Sequence, residues 1–257
     1  MFAIQDIIGG RAHLKGVSFY SEDYSSTSTI NNSTIQHSLR KREKKKSIPI
    51  FDVLERIPFV RGIVIFLESL YLAGKPVRLL LLANLLMWCI TNFTAHLSNS
   101  RRLPVSELLS KLHISMYVPV GIIFSAIILA LLLIRFSSIG QYHGAEHKAF
   151  NAHKEGKELT LENVRAASRV SCQCGTNLMV FALTVAIVLF PFIPSYLATL
   201  LSLSIGYEIF RLDNQTKIVK PFHAIGAFVQ QYIVTAEPTD EQIEVAILSL
   251  KNLIEAD

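Results

Sequence analysis

Cysteine is scarce in this chain, with Cys89, Cys172 and Cys174 the only three among 257 residues. Three cysteines do not make a disulfide framework, which excludes a small secreted scaffold held together by bridges. In a reducing compartment, the pair Cys172 and Cys174, spaced C-x-C, is left with thiol or metal-ligand roles. A secretory leader is not expected either. Residues 1–10 carry Asp6 and have neither a basic start nor a long apolar stretch.

Charge is also sparse. Asp, Glu, Lys and Arg make up 18% of the chain against 51% hydrophobic residues, and the mean hydropathy is +0.39. Charged side chains are missing from the stretches 79–97, 117–134 and 178–205. Runs of that length and purity read as membrane spans. The third has 28 residues and Pro191 and Pro194 at its middle, which favours two short helices turning at the prolines over one kinked span. Basic residues are concentrated where a cytoplasmic side would be. Six of them, Arg40, Lys41, Arg42, Lys44, Lys45 and Lys46, precede the first run, whereas the loop 98–116 has only Arg101, Arg102 and Lys111. No aromatic-rich basic surface accompanies the cluster, so nucleic acid is not an expected partner.

The fold expected from these features is mainly α. It is a multi-pass helical membrane protein of two spans plus a Pro-broken hairpin, with small α/β elements at the N-terminus. Its expected location is the cell membrane, with the N-terminus and the segment 135–177 in the cytoplasm and the lipid bilayer as partner. Residues 1–20 read as short strands and 21–47 as a polar, basic linker. Residues 48–76 read as interfacial amphipathic helices, 77–212 as the membrane domain and 213–257 as a C-terminal helical tail. In that tail Thr239 and Gln242 have capping-box spacing, and Ile243, Ala246, Ile247, Leu250 and Ile254 form an apolar stripe.

One short segment carries chemistry. After the second apolar run comes Gln141-Tyr142-His143-Gly144-Ala145-Glu146-His147-Lys148. A helix expected over 141–154, stopped by Gly156, puts His143 and His147 one turn apart on one face with Glu146 beside them. Two imidazoles at that spacing can serve one metal ion, and H-x-x-E-H is the inverted form of a zinc-peptidase pattern. A reactive zinc site takes three protein ligands and keeps one position open. The third ligand is sought among Cys174, Glu208, Cys172, His13 and His223. Glu208 can reach the site only if the chain turns back at Pro191 and Pro194. An unligated Glu146 is the candidate general base toward an attacking water.

Further stretches extend the pattern along the chain: Gly9-Gly10, Pro58-Phe59-Val60-Arg61-Gly62, Leu67-Glu68-Ser69-Leu70, Cys174-Gly175-Thr176, Tyr207-Glu208-Ile209 and Glu237-Pro238. Together with His143-Gly144-Ala145-Glu146-His147-Lys148 they make the chain resemble the YqhQ-like bacterial membrane proteins. That is a domain-of-unknown-function family described as predicted metal-dependent enzymes. The resemblance implies a multi-pass protein with a metal site and names no substrate. Two departures stand out. Lys15 replaces a glutamate usual in the family's early segment, and Ser171 and Cys172 stand where a His-Pro pair is common. The functions weighed are a metal-dependent hydrolase, with zinc on His143, His147, Cys174 and Glu208 and an unknown substrate, and a non-catalytic scaffold in which the same motif is structural.

Overall fold

The protein is described from a computed structural model, which covers residues 7–32, 34–42, 53–72, 132–193, 195–212, 216–217 and 219–256. It opens with four strands, β1 (Gly9–His13), β2 (Gly16–Tyr20), β3 (Tyr24–Asn31) and β4 (Thr34–Lys41), joined as an antiparallel meander in the order β1-β2-β3-β4. Alternation sets its two faces. Val17 and Phe19 are buried, and opposite them on β3 lie Ser28 and Ser26. On the other face His13 Nε2, Ser18 Oγ and Thr27 Oγ1 form a hydrogen-bonded row with 2.7 Å steps.

Seven helices follow among the described residues: α1 (Arg61–Leu72), α2 (Ser138–Lys154), α3 (Leu161–Ala166), α4 (Gly175–Leu189), α5 (Ser195–Arg211), α6 (Lys220–Val229) and α7 (Asp240–Ile254). A π-turn over Gln230–Val234 extends α6. The core lies between the sheet and two of these helices. Helix α7 supplies Ile243, Ala246, Ile247, Leu250 and Leu253, and α2 supplies Tyr142, Ala145, Ala149 and Ala152. The serines of β3 are small enough for α7 to lie close, and Ser249 Oγ donates to the Ser26 carbonyl at 3.1 Å. Both halves of the Thr239 and Gln242 capping box are formed.

Three readings of the sequence need correction. The segment 21–47, expected as a linker, carries β3 and β4, so the N-terminal part is a sheet rather than a pair of short strands. The chain is therefore a sheet-plus-helix fold and not a mainly α one. The multi-pass membrane architecture and the cell-membrane location fail on a second ground: among the described residues no helix is long and apolar enough to cross a membrane. The uncharged run 178–205 is broken after Leu189, and α4 and α5 have 15 and 17 residues. At 1.5 Å per residue they reach about 22 and 26 Å, short of the roughly 30 Å of hydrocarbon. One side of the pair serves helix packing, while Met179, Leu183, Ile187 and Val188 of α4 and Leu197, Leu200 and Leu201 of α5 are exposed. Phe181 on α4 is fully buried against Phe210 of α5 and Phe222 of α6. The run 79–97, most of 117–134 and the loop between them lie outside the described residues.

The segment read as interfacial helices supplies α1, which packs on α5. Gly62 makes that approach possible, because a Cβ there would lie 2.6 Å from the Leu203 carbonyl oxygen. Beside it the Arg61 guanidinium grips both oxygens of Glu208, with Nε to Oε1 at 2.7 Å, and the Phe59 N–H donates to Oε1 at 2.9 Å.

Candidate metal centre

Helix α2 starts at Ser137, whose hydroxyl accepts the Ile139 N–H, and ends before Gly156, which has φ +71°. The residues between keep helical register, so His143 and His147 meet edge to face with ring centroids 4.4 Å apart. The end of α3 and the segment after it then pass across this helix and are tied to it by side chains donating to backbone carbonyls. Lys148 Nζ reaches Arg165 O at 2.6 Å, His147 Nδ1 reaches Arg169 O at 2.5 Å, and Asn151 Nδ2 reaches Ser168 O and Val170 O at 2.8 Å. That crossing delivers Cys174 to the site as the N-cap of α4.

His143, His147 and Cys174 thereby come together, with one ligand atom from each lying within 4.8 Å of the others. The cluster can hold a metal ion. Cys174 Sγ is already 3.5 Å from His143 Nε2, within the roughly 3.3–3.8 Å separating neighbouring ligands of tetrahedral zinc. The donor chemistry fits as well. Burial, helped by His143, lowers the His147 pKa to about 3, so its imidazole is neutral. A carbonyl can only accept, so Nδ1 carries the His147 proton and Nε2 keeps its lone pair. Burial also lowers the His143 pKa, and a hydrogen bond to the Val234 backbone opposes it. The Cys174 thiol is pushed up by burial, against hydrogen bonds with Thr176. The Thr176 N–H, 3.4 Å from Sγ, is placed to support a thiolate once a cation neutralises it.

Glu146 lies beside the cluster and is not part of it. It is 9% exposed and makes no hydrogen bond among the described residues. Desolvation pushes its pKa up to about 8. Its carboxylate packs against Gly10 of β1, where a Cβ would lie 2.4 Å from Oε1. A cleft of about 360 Å³ opens over it. Residues 9–12 form one wall, residues 173–176 the other, and Ile139, His143 and Glu146 the floor.

The other candidates are placed elsewhere. Glu208 is held by Arg61 and the Phe59 N–H, and its pKa is lowered chiefly by the hydrogen bond from Arg61. The hairpin turns back as Glu208 required, yet its carboxylate serves α1. His13 bonds Ser18, His223 packs on Phe181 with centroids 5.1 Å apart, and Cys172 is exposed outside the cluster.

Residues with no role in the sequence reading turn out to hold the cysteine loop. Buried Gln230 pairs with the Ser171 backbone, accepting its N–H at 2.8 Å and donating to its carbonyl at 3.0 Å. Gln230 also donates to Asn177 Oδ1 at 2.7 Å, and Asn177 Nδ2 donates to Ser171 O and Cys172 O at 3.0 Å. Gly226 admits Asn177, since a Cβ at residue 226 would meet its Oδ1 at 2.1 Å. The π-turn begins at Gln230, and such turns recur at functional sites. The signal available in the sequence was the asparagine directly after Cys174-Gly175-Thr176. Nothing there pointed to Gln230.

Comparison with known proteins gives the same grouping that the motifs suggested. The family model described as "Protein of unknown function (DUF1385)" matches residues 57–256. The uncharacterized protein YqhQ of Bacillus subtilis (strain 168) is 32% identical over 126 residues, covering 44% of this chain and 40% of the relative. The chain thus spans about two fifths of the length of the curated relative it matches. No solved structure matches it. The chain belongs to the DUF1385 family, the YqhQ-like proteins of unknown function.

Proposed function

We propose that the chain is a metal-dependent hydrolase whose divalent ion, zinc by its donor set, is held by His143, His147 and Cys174. One observation carries this reading. Three ligand atoms of the type zinc prefers lie within 4.8 Å of one another, beside a buried carboxylate that is not among them. Structural zinc sites close with four protein ligands, whereas three leave room for chemistry. The cleft floor, with His143 and Glu146 side by side, is where a substrate would lie. A bound ion would supply Lewis acidity there and polarise the bond to be cleaved.

The chain's own residues do the rest. Burial alone keeps Glu146 protonated up to about pH 8, and the charge of an ion on the neighbouring ligands would favour its ionised form. In that form Glu146 takes a proton from the attacking water as its oxygen bonds to the substrate's electrophilic centre, and returns that proton to the leaving group as the old bond breaks. The Arg169 carbonyl fixes the His147 ring, and the Ser171, Asn177 and Gln230 network fixes the loop carrying Cys174. Burial keeps bulk water from Glu146.

A scaffold reading has one observation in its favour: Cys174 caps α4, so a metal there would pin α2 to α4 without any reaction. Metal analysis followed by one conservative variant separates the two. Equimolar zinc is expected in purified protein and should be lost in His143→Ala, His147→Ala and Cys174→Ser. Glu146→Gln should keep zinc and fold, and lose hydrolysis of a panel of p-nitrophenyl esters and fluorogenic peptides. Zinc-free wild-type protein sinks both readings. Zinc-bound wild-type protein that hydrolyses nothing in the panel leaves only the scaffold, and full activity in Glu146→Gln removes Glu146 as the base.

A further inference from the structure

We infer that the substrate of this site is an extended, acidic polypeptide segment, which adds to the sheet as a fifth strand against the free edge of β1. The inference rests on the hydrolase reading and names its substrate class.

The edge is read from the pairing pattern. Ile30 N–H bonds Lys15 O and Ser21 N–H bonds Tyr24 O, so the odd residues of β2 turn their backbone groups toward β3. The even residues Gly16, Ser18 and Tyr20 therefore bond β1, and they pair with His13, Arg11 and Gly9. Gly10 and Ala12 are left with N–H and C=O directed away from the sheet. No strand lies beyond β1 among the described residues, and no hydrogen bond there uses these four groups. The next outward carbonyl, that of Leu14, is already taken by Ser138 Oγ at 2.7 Å. Among the described residues the free edge is thus confined to the two residues that line the cleft.

Its position gives the edge a purpose. Residues 9–12 wall the same cleft whose floor holds His143 and Glu146. A chain paired with Gly10 and Ala12 runs along that wall and lays successive carbonyls over the cluster. Alternating donors and acceptors along an edge are matched by another extended backbone, the mode of strand addition. Gly9 and Gly10 present no side chains to obstruct it. Arg11, exposed on the cleft wall, matches a carboxylate on the incoming strand. Hydrolysis of a peptide bond held there places the water oxygen on the acyl carbon and the proton on the leaving nitrogen, through Glu146.

The test uses the zinc-loaded full chain and two probes, acetohydroxamate and a valine–glutamate–valine tripeptide hydroxamate. Both chelate zinc, and only the second can pair with β1. The tripeptide should bind at least tenfold more tightly. Methylating its backbone nitrogen facing β1 should remove about three- to tenfold of that gain, as expected for one lost hydrogen bond. Ala12→Pro deletes one outward N–H at a sheet edge that tolerates proline. It should weaken the tripeptide by a similar factor and leave acetohydroxamate affinity unaltered. Arg11→Gln should abolish the preference for glutamate over glutamine in the probe. A tripeptide no tighter than acetohydroxamate, or one indifferent to N-methylation on the wild-type chain, overturns the inference while sparing the metal centre. Failure of acetohydroxamate itself to bind overturns the hydrolase reading, and this inference with it.

Discussion

The carboxylate of Glu146 rests on the α-carbon of Gly10, so closely that a single added methyl group would lie 2.4 Å from Oε1 and 2.8 Å from Cγ. The first strand of the sheet thus sets where the buried carboxylate of α2 can sit. Gly10→Ala should displace Glu146 before it disturbs the sheet, because the side chain is the part that can yield. Zinc content should be unchanged, hydrolysis should fall at least tenfold as the carboxylate leaves its position, and the urea midpoint should move by the equivalent of about 1–2 kcal/mol. Normal activity in a folded Gly10→Ala protein would show that the position of Glu146 is irrelevant.

Glu208 supports a contrasting expectation. It joins α5 to α1 through Arg61 and the Phe59 N–H, remote in role from the cluster. Glu208→Gln should leave zinc content intact and lower stability by roughly 1 kcal/mol, and the double variant with Arg61→Ala should show non-additive losses. The pair holds the Glu208 pKa below its ordinary value. Its contribution is therefore present above the ordinary carboxylate pKa and lost as pH falls through the lowered one. Chemical denaturation on either side of pH 4 would read this. A loss of zinc in Glu208→Gln would restore Glu208 as a ligand.

The grouping of His143, His147 and Cys174 was more legible than the fold, and the reason lies in how each is encoded. His143, Glu146 and His147 are local, since helical spacing alone puts them on one face, and Cys174 needed only a nearby crossing segment. The core face of β3 is made by Ser26 and Ser28, small side chains against which α7 lies close, and that removes the apolar alternation by which strands are usually recognised. Serine-rich sequence and a lysine-rich continuation then mimic a linker. The uncharged run 178–205 misled in the opposite way. Its length suggested membrane, while a break after Leu189 divides it into helices whose buried faces meet each other and α6. The Gln230 and Asn177 pairing spans 53 residues of sequence and left no local trace.

Burial of Glu146 should make the stability of metal-free protein depend on pH in a stated direction. Its pKa rises from 4.5 to about 8 on folding. Its contribution is complete below pH 4.5, where both states are protonated, and is lost as pH rises toward 8 because only the unfolded chain ionises freely. His147 acts oppositely. With a folded pKa of about 3 against 6.5, it stabilises above pH 6.5 and loses that contribution as pH falls toward 3. The two overlap between pH 4.5 and 6.5, so the Glu146 effect is cleanest from 6.5 to 8. In chelator, wild-type stability should fall across that window, and Glu146→Gln should flatten the decline. It should gain on the order of 1–2 kcal/mol over wild type at pH 8. Parallel curves for the two proteins would mean that Glu146 is already ionised in the fold.

The amide network behind Cys174 yields the sharpest separation between holding a metal and supplying its ligands. Asn177 is 1% exposed and Gln230 is 0% exposed, and both spend their amide groups on the backbone of residues 171–172. Neither offers a ligand atom to the cluster. Removing either side chain strands buried donors and acceptors and frees the loop that aims the thiol. Asn177→Ala and Gln230→Ala should each cost about 2–3 kcal/mol of stability. Both should also weaken zinc binding by about 10- to 100-fold, as loss of a ligand's supporting hydrogen bonds does, even though His143, His147 and Cys174 are all present. Competition with a chelator of known affinity reads the second effect, and urea denaturation in excess chelator reads the first without metal. If the variants lose metal-free stability but hold zinc as tightly as wild type, the loop does not position Cys174, and the network serves only to join α4 to α6.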